Sequence, residues 1–263
     1  MRSLWTAASG MVGEQFHIDT ISNNLANINT TGFKRTRAEF EDLLYQTQRL
    51  AGTPSSEVTQ NPIGIQTGLG VKVSGTQKFY TQGSLQQTGN VLDIAIEDEG
   101  FFAVEMPDGT TAYTRDGTFK IDANRDIVTS QGYYLLPKTQ LPDDFEITSL
   151  SITPTGTVSV KVSGENDPRE IGNITLQRFI NPTGLTNLGE NLVKESPASG
   201  SPVEGIPTQQ GFGALRQSFL EMSNVSAITE MVDMIVAQRA YEFNSRAIQT
   251  SDNMLGSAVS LKR

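Results

Sequence analysis

The chain has no cysteine and a single histidine in 263 residues. Without cysteine there is no disulfide, no thiolate metal site and no cysteine nucleophile, and the chain can cross an oxidising compartment without mispairing. Any Ser-His-Asp arrangement must use His17, and metal sites built on several histidines are excluded. His17 falls in a helical pattern near the N-terminus, away from the turns where a site would form, so it reads as a surface or interface residue. Positive charge is also scarce: 20 Lys and Arg face 29 Asp and Glu, a net charge of −9. Phosphate backbones repel such a chain, so nucleic acid is not an expected partner. No apolar run approaches the roughly 20 residues of a membrane span. The opening MRSLWTAASGMVGEQFH has Gly and Glu where a cleavable signal needs an unbroken apolar core, so no cleaved signal peptide is expected.

Other chemistry-bearing patterns are weak. Glu97-Asp98-Glu99 is a carboxylate run at a turn, whereas general acid and base work needs carboxylates converging on a cleft from separate elements. Gly64-Ile65-Gln66-Thr67-Gly68-Leu69-Gly70 is glycine-rich, but no Lys-Ser/Thr follows and no helix opens there, which argues against phosphate binding. Lys34, Arg35 and Arg37 suit pairing with acidic neighbours better than nucleic-acid binding. No catalytic residue, metal or cofactor is expected.

What is present lies at the two ends. Leu4, Met11, Ile18 and Leu25 recur every seven residues, and so do Met234, Tyr241, Ile248 and Leu255. A seven-residue apolar repeat marks a helix packed on another helix. The first helix is predicted over residues 3–28, with Ala7, Ile21 and Ile28 on its main stripe and Trp5, Val12 and Phe16 about a quarter turn away; Glu14 interrupts the seam. The second is predicted over residues 224–261, roughly 57 Å long at ~1.5 Å per residue.

That second helix has two apolar faces. At ~100° per residue, Val225, Ile228, Val232, Val236, Ala240, Phe243, Ala247 and Met254 share one. Met234, Tyr241, Ile248, Leu255 and Val259 share another, roughly 140° round, and Gln238, Glu242, Arg246, Gln249 and Asn253 fill the polar sector. The N-terminal helix can cover one face. Covering the other, expected to be that of Met234, Tyr241, Ile248 and Leu255, is worth on the order of 6–15 kcal/mol as an upper bound, so another subunit is expected there. A self-contained bundle or coiled-coil dimer is the competing reading.

Between the ends the pattern is β. Phe101–Met106 precedes Asp108-Gly109, and Tyr113-Thr114-Arg115 precedes Asp116-Gly117, both hairpin signals. Val158, Val160 and Val162 alternate with polar residues as in a half-buried strand. Residues 51–70, rich in Gly, Pro, Thr, Ser and Gln, read as an extended arm or a disordered loop. The fold class is therefore α+β, in five segments. Residues 1–32 are the N-terminal helix and 33–70 an extended arm. Residues 71–205 form a central all-β antiparallel domain of sandwich or open-barrel type. Residues 206–223 are a return linker and 224–263 the C-terminal helix, the paired terminal helices forming a coiled-coil-like inner domain.

Several of these segments resemble the bacterial flagellar rod and hook family. Ser22-Asn23-Asn24-Leu25-Ala26-Asn27-Ile28-Asn29-Thr30-Thr31-Gly32-Phe33-Lys34-Arg35 is similar to its N-terminal signature. Glu221-Met222-Ser223-Asn224-Val225 and Met234-Ile235-Val236-Ala237-Gln238-Arg239-Ala240-Tyr241-Glu242 resemble its C-terminal one. Gly100-Phe101-Phe102 and Tyr113–Phe119 match its β domain, and Phe40-Glu41-Asp42-Leu43-Leu44-Tyr45-Gln46 resembles the arm of a rod member; hook members are usually longer in the middle. Ser218-Phe219 departs from the pattern, which has a Gly-aromatic pair there.

The resemblance implies a structural subunit of a tubular helical polymer that carries torque across the periplasm and is exported by the flagellar type III apparatus. Its implied partners are further copies of itself, the proximal rod proteins, the hook protein, and the peptidoglycan-ring and outer-membrane-ring bushing proteins. On that reading Leu4, Met11, Ile18, Leu25, Val232, Val236, Phe243, Met234, Tyr241, Ile248 and Leu255 pack subunits together. Gln238, Glu242, Arg246, Gln249 and Asn253 line an export channel, an ordinary solvated face being the alternative. Phe40, Leu43, Leu44 and Tyr45 make arm contacts. A proximal rod or hook subunit is the alternative within the family, and a secreted β-rich protein that binds or processes peptidoglycan is the reading from another class.

Overall fold

The computed structural model describes residues 2–52, 62–143, 149–162 and 168–260. It is α+β, with two long helices at the ends and antiparallel strands between them. The helices are α1 (Arg2–Ala26) and α2 (Ala227–Ser260). The chain divides into two compact units: α1, Thr36–Gln77 and α2 in the first, and Asn27–Arg35 with Lys78–Val225 in the second.

In the first unit α1 and α2 run antiparallel. Ser3 Oγ lies 3.4 Å from Ser251 Oγ, and Asn24 Nδ2 donates to Glu230 Oε2 at 3.0 Å. A Cβ added to Gly10 would come within 2.8 Å of the Asn244 amide. The facing positions therefore step by seven on both helices: Ser3, Gly10 and Asn24 against Ser251, Asn244 and Glu230. Ala237 is buried on the same face of α2, and the register sets it opposite His17. Small side chains let helix axes approach closely, and buried polar pairs fix register. Asn24 also binds the backbone of Thr36 twice, accepting from its N–H at 3.0 Å and donating to its carbonyl at 2.7 Å.

The seam thus lies one residue before the apolar heptad of α1. Leu4, Met11, Ile18 and Leu25 are half-buried flanks rather than its centre. The helix ends at Ala26, not at Ile28. The end of α2 assigned to Leu261 lies outside the described residues.

The described part of the arm carries three strands, Thr36–Asp42, Gln46–Arg49 and Ile65–Thr67, with irregular chain between them. Thr36–Asp42 pairs with Val71–Lys78, and Gln46–Arg49 pairs with Ile65–Thr67 in the register Gln46↔Thr67, Thr47↔Gln66. Residues 53–61 of the expected loop lie outside the described residues. Phe40 packs on its own α1: its ring meets His17 edge-on at 5.8 Å and lies 3.4 Å from where a Cβ on Gly13 would be.

The second unit carries the apolar core. Its main sheet has seven strands in the order Thr186–Gly189, Leu192–Lys194, Thr111–Thr114, Phe102–Glu105, Tyr134–Leu136, Ile127–Thr129, Phe119–Ile121. Phe102 and Phe101 project to opposite faces, as strand alternation requires. Phe102 joins Ile94, Ile96, Phe119, Leu135, Val158 and Leu176, while Phe101 joins Tyr113, Phe179 and Val193. A sheet covered on both faces needs apolar residues at consecutive positions, which accounts for the unbroken run Phe101–Val104.

The turn Met106–Thr110 closes the expected hairpin: Gly109 has φ of 75° and Met106 N–H donates to Thr110 O at 2.9 Å. Asp116-Gly117 does not close a hairpin, because Thr111–Thr114 and Phe119–Ile121 are separated by three strands. Gly117 is instead needed for space, since a Cβ there would overlap the carbonyl of Ile94. The expected return linker also contains strands: Ala214–Gln217 pairs with Ile94–Glu97, and Phe219–Glu221 with Leu85–Gln87. Ser218 between them has φ of 63°, a left-handed conformation that glycine adopts most readily.

Candidate functional site

Among the described residues, the three clusters of buried apolar side chains belong to the β unit. The helical unit is left with a polar, small-residue seam and a large apolar surface in water. On α2 the surplus lies on the face opposite the seam: Ile228 is 75% exposed, Val232 54%, Val236 62% and Phe243 65%, with Met231, Ile235 and Met254 beside them. These side chains span roughly 39 Å along the helix at ~1.5 Å per residue. On α1, Trp5 and Val12 are exposed in the same way and Phe16 in part.

This reverses the assignment of the two faces of α2. Met234, Ile248 and Leu255 are half-buried and Tyr241 is at the edge of exposure, because they flank Glu230, Ala237, Asn244 and Ser251, which face α1. Val232, Val236 and Phe243, expected against the partner helix, are outside. Two apolar faces do exist, and one chain covers only one of them. A contiguous exposed apolar surface of this kind marks an interaction site.

The polar candidates Gln238, Glu242, Arg246, Gln249 and Asn253 are all exposed, on the sector bordering this face. Glu242 accepts from Arg239 at 2.9 Å, three residues back, rather than from Arg246. In the arm, Leu44 and Tyr45 are exposed, Leu43 is half-buried, and Phe40 meets His17 of α1 with one side while staying 39% exposed.

The titratable groups are engaged in holding structure. His17 lies 3.7 Å from Glu14. Glu97 pairs with Arg216 at 3.2 Å. Arg37 pairs with Glu39 at 2.9 Å. Lys34 is buried and bonds Glu221 at 2.5 Å, with Arg115 3.4 Å from the other carboxylate oxygen. Burial pushes the Lys34 ammonium down from its usual range, against the pull of Glu221. A cleft of about 400 Å³ in the β unit is lined by Tyr80, Phe101, Arg115 and Phe179. Burial pushes the Tyr80 phenol up to about 12, so it stays protonated across the physiological range. Among the described residues no three His, Asp or Glu side chains are grouped to hold a metal, and no helix is long and apolar enough to cross a membrane.

The sequence reading did not anticipate the seam itself. Its signal was present as a second heptad, Glu230, Ala237, Asn244 and Ser251, but one made of residues that an apolar-periodicity count skips.

Comparison with known proteins gives a consistent set. The family model described as "Flagella basal body rod protein" matches residues 4–34. "Flagellar hook protein FlgE/F/G D1 domain" matches residues 95–160, and "Flagellar basal body rod FlgEFG protein C-terminal" matches residues 216–261. The flagellar basal-body rod protein FlgG of Borreliella burgdorferi is 58% identical over 263 residues, 100% of this chain and 99% of that protein. The proteins of the same name from Buchnera aphidicola subsp. Schizaphis graminum and Agrobacterium fabrum are 48% and 46% identical, covering 96% and 97% of this chain and the same shares of their own lengths.

Proposed function

The chain belongs to the flagellar basal-body rod protein family, and from that premise we propose how its geometry serves the rod. It is a structural subunit of the distal rod, a component of the motility apparatus, and not an enzyme. The observation that carries the assembly reading is the apolar face of α2 left in water by a single chain. In the proposed tubular homopolymer this face and the Trp5–Val12–Phe16 stripe are covered by neighbouring copies, the heptads Leu4–Leu25 and Met234–Leu255 flank the intrachain seam, and torque passes along the packed helices. The tube spans the periplasm between the proximal rod proteins and the hook protein and turns within the peptidoglycan-ring and outer-membrane-ring bushing. Subunits arrive through the type III export apparatus.

Gln238, Glu242, Arg246, Gln249 and Asn253 are proposed to line the channel, where a wetted wall lets a passing chain slide without sticking. Gln249→Leu then slows delivery of later subunits, read as shorter hooks and filaments at unchanged rod number; normal hook and filament growth rejects the lumen assignment.

The strand pairs of the arm, with Leu44 and Tyr45 exposed, are proposed to lie against neighbouring copies. More contact between subunits stiffens a tube. Deleting residues 46–67 should leave rods that form but bend under electron microscopy, with persistence length reduced severalfold. Straight, stiff rods from the deletion variant exclude this role.

A further inference from the structure

Glu221 ties together three distant stretches of the β unit. Its Oε1 accepts from Lys34 Nζ at 2.5 Å and from Gly83 N–H at 2.9 Å, and its Oε2 lies 3.4 Å from Arg115 Nη1. Its backbone carbonyl accepts from Gly32 N–H at 2.8 Å. Lys34, Arg115 and Glu221 are all buried. The residues just before it complete the unit in other ways. Ala214–Gln217 is the strand hydrogen-bonded to Ile94–Glu97, and Phe219–Glu221 the one bonded to Leu85–Gln87. Leu215 and Phe212 sit in the main core. The Gln217 amide donates to the carbonyls of Val91 and Leu150 at 2.9 and 2.8 Å.

We infer that residues 212–221 are a closing segment, without which the earlier part of the β unit cannot settle, so that the unit folds only after nearly the whole chain is available. Two buried cations without their carboxylate oppose folding, because an ion removed from water needs a partner. The buried strand Ile94–Glu97, whose hydrogen-bonded neighbour is Ala214–Gln217, would be left with buried N–H and C=O groups without partners, which opposes it further. Folding of residues 78–211 therefore waits for residues 212–221, although the seven-stranded sheet is contributed entirely by residues 102–194. This delay rests on the geometry of the β unit alone. Its consequence for a subunit threaded through a tube, that the chain stays open until its C-terminal part has emerged, rests on the proposed function.

The test is pulsed hydrogen exchange during refolding of the full-length chain from denaturant. Protection of amides in Phe102–Glu105, Thr111–Thr114 and Tyr134–Leu136 is expected to appear together with protection of Ala214–Gln217 and Phe219–Glu221, at one rate. A sheet that becomes protected before residues 214–221 overturns the inference. A second measurement isolates the charge. Glu221→Gln in the full-length chain should lower the folded-to-unfolded ratio of the β unit at least a hundredfold, and Lys34→Met added to Glu221→Gln should recover at least tenfold of it. Sheet protection unchanged in Glu221→Gln, or no recovery in the double variant, counts against the ionic part of the closing step.

Discussion

Replacing both Val236 and Phe243 with aspartate should abolish polymerisation while leaving the monomer folded. Both side chains are exposed on the outer face of α2 and bury little within one chain, so the monomer loses almost nothing. In the polymer each substitution forfeits about 1.5–3 kcal/mol of apolar burial, and each aspartate must also be desolvated in an apolar interface. A combined loss of about 4 kcal/mol or more per contact raises the concentration needed for assembly about a thousandfold. Sedimentation should show monomer at concentrations where the wild type forms rods, with unchanged helical circular dichroism. Ile248→Asp serves as the contrast: it flanks the seam with α1 and should lower helix content in the monomer itself. Polymerisation of the double aspartate variant at wild-type concentrations would mean that the outer face is not the interface.

The second large effect is on the β unit. Gly117→Ala should destabilise it by about 3 kcal/mol or more, because the added Cβ overlaps the Ile94 carbonyl, a backbone atom that cannot rotate aside. The damage spreads through Ile94 N–H, which donates to Gly117 O at 3.1 Å, into the main core around Ile94. Gly109→Ala is the calibrating variant. Its site has φ of 75° with open space around it, so it carries only the left-handed penalty of about 1–2 kcal/mol. Urea midpoints of the two variants at equal slope separate a packing clash from a conformational preference; equal losses would show that space at Gly117 is not the constraint.

How far the sequence could be read depended on which physical signal each segment carried. Apolar heptads revealed both terminal helices and their mutual packing. They did not reveal which face was inward, because the seam is built from Ser3, Gly10, Asn24, Glu230, Ala237, Asn244 and Ser251, small or polar residues that carry no hydrophobic period. The hairpin at Asp108-Gly109 was legible because a positive φ at Gly109 is a local requirement. The same dipeptide at Asp116-Gly117 misled, because Gly117 answers a contact with Ile94, 23 positions earlier in the chain. Strand alternation located Val158 and Val160, each fully buried. It could not locate Gln46–Arg49 or Ile65–Thr67, which are largely exposed on both faces and so have no alternation to show. The segment 206–223 looked like a linker because its strands are only three or four residues long. Lys34 was read correctly as seeking an acidic partner, but Glu221 lies too far along the chain for any local pattern to name it.

The absence of native cysteine makes the central claim directly measurable, since one introduced cysteine is the only thiol in the protein. Maleimide labelling of Val236→Cys should be fast in the monomer and at least a hundredfold slower in assembled rods, while Asp108→Cys, at the exposed hairpin tip of the β unit, reports reagent access in both states. Equal labelling of Val236→Cys before and after assembly would contradict the account, because the outer face of α2 would then remain in water in the very polymer it is held to build.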